Sequence, residues 1–475
     1  MLNFLKKRLL IYNLFNMKNK IRNPIGFVFV LLVGLNIQAQ TKKWTIEECV
    51  NYALEHNISI KQSELDMKLA TIDKKAAIGN FLPSLNAGAS HSWNIGLNQN
   101  ITTGLLENQT TQFTSASLNS NIDIYNGLQN QNRLRRAKMA ILASQYQLTK
   151  MQDDISLYVA NAFLDILFNK ENLKVQQNQL EYDAKQLSRT EELVNSGSVA
   201  KGDLLDMKAT IAADNQKIVA AENMLLLSKL SLVQLLQLDD FQNFDVVDKN
   251  YEPQESPTML ETPESIFEKA KQERIEMKVA KSNLDLAGKD IKIARGAYQP
   301  SLSGFYSFST RASYSDRVVG VDTGGNPILA GPLPLFDQFS NNKGHNFGLQ
   351  LNIPVLNGFS VRSNVERSKV NLEKSKVAFS QAQTDLEKNV YTAFTNAKGA
   401  LKTYESAVLA LSARQEAFNY AKEKYDVGLM NAFDYNQSQT LFANAQSDVI
   451  RAKYDYIFKV KVVELYFGIP IIKKQ

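Results

Sequence analysis

A long internal repeat constrains this chain more than any other feature. Asn126-Gly127 closes the stretch "NIDIYNG", and Asn357-Gly358 closes "NIPVLNG". Gly197 and Asp203 stand six residues apart, as do Gly428 and Asp434, and the step from the first of these pairs to the second equals the step between the two Asn-Gly marks. The interval from Asn126 to Gly197 therefore equals that from Asn357 to Gly428. Self-similarity at a fixed long period means that one structural unit is written twice. Upstream the match loosens. "PSL" begins at Pro83 and at Pro300, and the interval from it to the Asn of the Asn-Gly mark is longer in the second copy. The excess falls in the Gly- and Pro-rich stretch 311–344, which reads as a surface loop because connections tolerate changes of length.

The constant segments read as helix. All 11 prolines lie outside 128–240 and 359–468, and in the first window Gly197 and Gly202 are the only glycines. Proline breaks helices and glycine weakens them, so each window is a long helix interrupted near Gly197 or Gly428. Apolar residues recur every seventh position, at Leu134, Ile141, Leu148 and Ile155, and again at Val365, Leu372, Phe379 and Leu386. That seam packs helices side by side. A helix of about 65 residues is roughly 100 Å long, wider than an ordinary globular domain.

The segments between the helices alternate. Leu85, Ala87, Ala89, Trp93 and Ile95 oppose Asn86, Ser90, Ser92 and Asn94, and Ala116, Leu118, Ile122 and Ile124 oppose Ser117, Asn119, Asn121 and Asp123. In the second copy Leu302, Tyr306 and Phe308 oppose Ser303, Ser307 and Ser309, while Phe347, Leu349, Leu351, Ile353 and Val355 oppose Asn346, Gln350 and Asn352. Period two with one apolar and one small or polar face is the pattern of a strand between lipid and water; the alternative is a soluble sheet packed on the helices. Two strands per copy give four per chain. Four cannot close a barrel, and lipid does not tolerate an open edge, so several chains must share one barrel.

Met1 to Ala39 carries six basic residues and no acidic one, then the apolar run "PIGFVFVLLVGLNI" and "QAQ". This reads as a secretory signal peptide cleaved after Ala39, with Met17 as a second plausible start. Its removal takes the formal net charge from +6 to zero, which leaves no basic balance to argue for nucleic acid. No apolar run beyond residue 40 approaches twenty residues, so no membrane-crossing helix is expected. Cys49, the single cysteine, lies in an amphipathic helix and reads as a buried thiol. His56, His91 and His345 are scattered without metal-ligand spacing, and no phosphate loop or nucleophile elbow appears, so neither an enzyme nor a cofactor is expected.

In order, the chain reads signal peptide, then twice over helix, "PSL", strand, loop, strand, Asn-Gly, long helix, Gly-x5-Asp, long helix. From Trp44 to Pro470 this resembles the TolC-like outer-membrane efflux protein family. The resemblance implies a mainly α fold with a β-barrel portion: a homotrimer with a 12-stranded barrel among outer-membrane lipid and a tapering helical barrel in the periplasm. It divides the chain into a leader (1–39), a first repeat (40–240), a linker (241–261) and a second repeat (262–475). It implies a passive exit duct of a tripartite efflux or type I secretion system, docked to a periplasmic adaptor and an inner-membrane pump of RND or ABC type. The other reading of the same helices is a non-transporting coiled-coil envelope scaffold or adhesin. Asn126-Gly127 and Asn357-Gly358 would be the strand-to-helix turns, and Gly197 and Gly428 the adaptor-contacting tips. Asp203, Tyr425, Asp434 and Gln437 would line the periplasmic entrance. Gln437 stands where the family's type member has a second acidic residue, and Met430 where it has an arginine. Taken as local structure alone, Asp203 and Asp434 would be helix N-caps after C-capping glycines.

Overall fold

The computed structural model describes residues 43–100, 104–248, 251–253 and 256–471; the leader and its cleavage position lie outside the described residues. The first copy runs β1 (Lys43–Trp44), α1 (Ile46–His56), α2 (Ile58–Gly79), β2 (Ser84–Gln99), β3 (Leu106–Asn126), α3 (Gln129–Asn195) and α4 (Lys201–Leu236). After β4 (Asp245–Val246) the second copy runs α5 (Pro263–Glu273), α6 (Ile275–Gly296), β5 (Ser301–Ser313), β6 (Arg317–Val321), β7 (Pro327–Ala330), α7 (Leu335–Asn341), β8 (Gly344–Asn352), α8 (Ser360–Asp426) and α9 (Ala432–Tyr466).

The repeat is structural to the residue. α3 and α8 each span 67 residues and begin and end at equivalent positions. α1 and α5 each have 11 residues, α2 and α6 each 22. The last two positions of each heptad seam, Leu148 and Ile155 and again Phe379 and Leu386, enter two matching cores. Ala53, Ile60, Ile155, Val159 and Leu232 in the first correspond to Ala270, Met277, Leu386, Val390 and Val463 in the second. Cys49 is fully buried in the first core, beside Phe163. Thr45 closes a capping box with Glu48 to start α1, and Thr262 caps α5 at the equivalent place.

Four strands form one antiparallel sheet in the order β2-β3-β5-β8. Both hairpins keep one register. Ser84 faces Asn121 as Ser301 faces Asn352, and Ala87 faces Leu118 as Gly304 faces Leu349. β3 and β5 join the two copies, with a bulge at Ile124 that breaks the expected alternation just before the turn. Of the apolar set expected from the alternation, the edge-strand members Leu85, Trp93, Ile95, Phe347, Leu349 and Leu351 are exposed, while Leu118, Ile122, Leu302 and Phe308 on the central strands are half-buried. β2 and β8 lie at the two edges of the sheet.

Two expectations need correction. The stretch 311–344 is not bare loop: it holds the β6–β7 hairpin and α7, which is tied to the sheet where Thr310 Oγ1 donates to the Phe339 carbonyl at 2.8 Å. Among the described residues one helix, α4, is long and apolar enough to cross a membrane by length and composition. Its scattered charges and polar residues hid this from a search for unbroken apolar runs. It is packed antiparallel along α3, whose composition is polar, and Val219, Leu226 and Leu227 on it are exposed.

Candidate functional site at the helical tips

Each helical hairpin turns over through the same main-chain device. Gly197 (φ 76°) and Gly428 (φ 79°) are left-handed, a conformation that costs a side-chain-bearing residue about 1–2 kcal/mol. The Gly197 N–H donates to Val194 O at 3.0 Å and the Ser198 N–H to Leu193 O at 2.8 Å. At the second tip Gly428 donates to Tyr425 O at 3.1 Å and Leu429 to Lys424 O at 2.8 Å. Both are Schellman motifs, which satisfy the last carbonyls of the long helices.

The aspartates are not the caps. The N-cap of α4 is Ala200, which offers no side-chain cap, and that of α9 is Asn431. Asp203 and Asp434 therefore stand three residues inside, in the first turn, where a negative charge meets the positive end of the helix. Asn431 Oδ1 accepts the Asp434 N–H at 2.8 Å, and Asn431 Nδ2 donates to Asp434 Oδ2 at 2.9 Å. The Gly-x5-Asp spacing points three residues past the true cap, Asn431.

Behind the tips an aromatic cluster and a polar cluster hold the hairpins together. Tyr425 stacks on Tyr435 with ring centres 4.6 Å apart, and Tyr435, nearly fully buried, shares a short hydroxyl–hydroxyl hydrogen bond with Tyr182. Burial and that bond push the Tyr435 phenol far above its ordinary value. Phe418 packs against Tyr182, Tyr435 and Phe442. Arg189 pairs with Asp426, tying α3 to the end of α8. Asp183 on α3 is fully buried, and its Oδ1 accepts from Gln439 Nε2 of α9 at 2.6 Å. Burial, and the neighbouring Asp214 of α4, push the Asp183 carboxyl up to about 7. Gln437 lines a cleft of about 340 Å³ over Asp183 and Asp214, with Asp206, Thr210 and Phe433.

The structure thus brings Tyr425 into a packed cluster, leaves Asp434 and Gln437 exposed near it, and sets Asp203 at the matching turn of the other hairpin. Sequence reasoning missed Asn431, Tyr435, Asp183 and Asp214. The signal for Asn431 was present, since Asn followed three residues later by Asp opens a long proline-free run. At the sheet end, Gly127 (φ 56°) with Leu128 (φ 59°) and Gly358 (φ 57°) with Phe359 (φ 63°) place two successive left-handed residues before α3 and α8.

A doubled unit of two strands and one long helical hairpin, with an apolar sheet face at one end and the hairpin turns at the other, has the fold of an outer-membrane channel class. The model of the outer membrane efflux protein family matches residues 49–237 and again 266–464. The chain belongs to that family, and with it to the outer membrane. It is 22% identical over 442 residues to the outer membrane protein TolC of Escherichia coli (strain K12), covering 90% of this chain and 83% of that protein. It is 25% identical over 337 residues to TolC of Vibrio cholerae serotype O1, covering 70% of each. Among solved structures, the Campylobacter jejuni CmeC outer membrane channel superposes with a TM-score of 0.74 at 18% identity, over 90% of this chain and 87% of that one.

Proposed function

We propose that three copies of this chain close a 12-stranded barrel in the outer membrane and extend their helical hairpins into the periplasm as one passive exit duct. One observation carries the proposal: β2 and β8 end the sheet with unshared edges beside an exposed apolar face, and lipid cannot satisfy those edges. Closure by further copies pairs every edge. In this duct the two repeats span 40–240 and 262–475, joined by 241–261. Gly197 and Gly428 form the tips that meet a periplasmic adaptor, itself carried by an inner-membrane pump. Asp434 lines the entrance once per protomer and Gln437 sits one turn behind. With little water between them, three carboxylates at one level favour cations.

The test is reconstitution. Purified protein in mild detergent should be trimeric, and in liposomes it should give discrete conductance steps. A folded monomer, or a trimer without conductance, would leave the scaffold or adhesin reading in its place. Single-channel reversal potentials then address the entrance: Asp434→Ala should weaken cation preference, whereas an unchanged preference removes Asp434 from the pore lining.

A further inference from the structure

β8 pairs with β5 only from Gly344 to Asn352, opposite Ser309 to Ser301, and beyond Ser309 the edge of β5 is covered by α7 instead. Asn342 Nδ2 donates to the Arg311 carbonyl at 2.7 Å, and Thr310 Oγ1 donates to the Phe339 carbonyl at 2.8 Å. The Gln338 side chain accepts the Ser313 N–H at 2.9 Å and donates to the Ser313 carbonyl at 3.0 Å. By the alternation of the strand, Thr310 and Ala312 lie on the same side of β5 as Tyr306 and Phe308, and both are buried. α7 therefore leans over the apolar side of the sheet and is held there by side chains at both of its ends. Phe336, 80% exposed, projects from it.

The β6–β7 hairpin beside α7 is apolar along its length. Val318 pairs with Leu329 and Val321 with Pro327, so these four side chains share one face, and all four residues are exposed. A cleft of about 410 Å³, lined by Arg317, Val318, Leu333 and Gln338, runs between the base of the hairpin and α7. The tip differs in kind. Asp322 Oδ1 accepts the Gly324 N–H at 2.8 Å and the Asn326 N–H at 2.9 Å, which makes a charged, exposed turn. A two-stranded hairpin on its own is marginally stable in water, and the exposure of Val318, Val321 and Leu329 shows that the described residues do not cover this one.

Both elements stand where the sheet reaches a membrane surface. From Leu85 to Trp93, β2 runs about 27 Å at about 3.4 Å per residue, and at a tilt of about 40° this spans roughly 20 Å of the ~25 Å lipid-facing band of such barrels. Trp93 meets His91 edge-on at 4.2 Å, His91 meets Tyr314 at 5.5 Å, and the Tyr314 hydroxyl shares a hydrogen bond with that of Thr114 at 2.9 Å. Aromatic rings with a polar handle gather at membrane–water interfaces. Tyr314 is also the residue by which the chain leaves β5 for the hairpin. We infer that the insertion 311–344 is a lipid-binding element: Phe336 and the face of Val318, Val321 and Leu329 sit among the acyl chains of the outer leaflet, with the Asp322 turn in water. The occupant follows from continuity, since this patch prolongs the exposed apolar face of the edge strands. Charge agrees. Arg311, Arg317 and Lys343 balance Asp316, Asp322 and Asp337, +3 against −3, so apolar contact and not headgroup charge supplies the attraction. The inference rests on the proposal that the sheet lies in the outer membrane, and adds that a segment outside the strands is held by lipid. The first copy joins its strands by the short stretch 100–105 and has no counterpart.

Spin labels test this in the full chain reconstituted into phosphatidylcholine vesicles. Val321→Cys, Leu329→Cys and Phe336→Cys, made singly at exposed positions, each take a nitroxide, while the native Cys49 is buried and does not. Leu349→Cys on β8 is the reference in lipid, and Leu260→Cys between the repeats, 87% exposed, is the reference in water. The label's collision rates with oxygen, which concentrates in lipid, and with a neutral nickel chelate, which stays in water, separate the two surroundings. Val321, Leu329 and Phe336 should behave as Leu349 does, with oxygen favoured several-fold, and Thr323→Cys at the turn should behave as Leu260 does. If the three sites follow Leu260, or are shielded from both reagents as a lumenal plug would be, while Leu349 meets lipid, the lipid-binding element is overturned and the barrel stands. A Leu349 label that meets water overturns the barrel, and the inference with it.

Discussion

Gln439 Nε2 donates to Asp183 Oδ1 at 2.6 Å and so ties α9 to α3 at a fully buried carboxyl. Gln179 donates to the other oxygen at 2.8 Å, and Asp214, bonded to Lys217 at 3.0 Å, lies beside it on α4. Three helices therefore share one titrating group.

A pH dependence with a definite sign follows. Asp183 is raised from 3.8 to about 7 in the folded chain, by burial first and Asp214 second. The folded state then holds a proton that the unfolded state has lost, so this contribution is complete below pH 3.8 and declines as pH rises towards about 7. Above that it is gone. Asp183→Asn keeps the shape of the protonated acid and removes the titration. Thermal unfolding followed across that window should show a falling midpoint for the unmodified chain, and a shallower slope for the variant with a gain at pH 8. Identical slopes would remove Asp183 as the source.

The two tip glycines should behave alike. Gly197→Ala and Gly428→Ala each force a side chain into the left-handed region at a place where nothing crowds a Cβ, so strain is the whole effect. About 1–2 kcal/mol of local stability should be lost at the substituted hairpin end. Hydrogen exchange at the last turns of α3 and α8 reports this directly, and an unchanged protection pattern would contradict the assigned caps.

Much of this architecture could be read in the residues because its determinants are local or periodic. Proline exclusion and the sevenfold seam specify α3 and α8, and the equal intervals from Asn-Gly to Gly-x5-Asp specify where they turn. Asn126-Gly127 lies where β3 gives way to α3, but Leu128, the second left-handed residue, carries no sequence signal, since a leucine there is held only by its surroundings. The tip cluster was illegible for a different reason. Asp183 and Gln439 are far apart in the chain and on different helices, and no spacing rule connects residues that only tertiary packing brings together. By its sequence neighbours alone, Asp183 is indistinguishable from a solvated carboxylate, because its burial comes from helices distant in the chain.

Asn431 and Asp434 make separable contributions that one pair of variants resolves. Asn431→Ala removes the side chain that accepts the Asp434 N–H and costs about 1 kcal/mol at the start of α9, the usual worth of an N-cap. Asp434→Ala keeps that acceptor and loses only the bond from Asn431 Nδ2 and the favourable charge near the helix end, a smaller loss of a few tenths of a kcal/mol. Urea unfolding of the two variants should rank them in that order. The reverse order would mean that Asp434 does the capping after all.

One matched pair of phenylalanines differs in burial between the two cores, and the difference sets the last expectation. Phe163 of α3 is fully buried, packed with Cys49, Val246 and Tyr251, whereas its equivalent Phe394 of α8 is only partly buried against the second core. Truncating a buried Phe removes its transfer free energy and leaves a cavity, typically about 3–5 kcal/mol, and the cost shrinks where solvent can enter the space. Phe163→Ala should therefore lose more stability than Phe394→Ala in the single chain. In a trimer the outer face of the second repeat is covered by another copy, so the gap between the two variants should narrow. Unfolding midpoints measured in mild detergent, then in a detergent that separates the chains, compare the two states. A gap that stays the same in both would mean that Phe394 gains no cover from assembly.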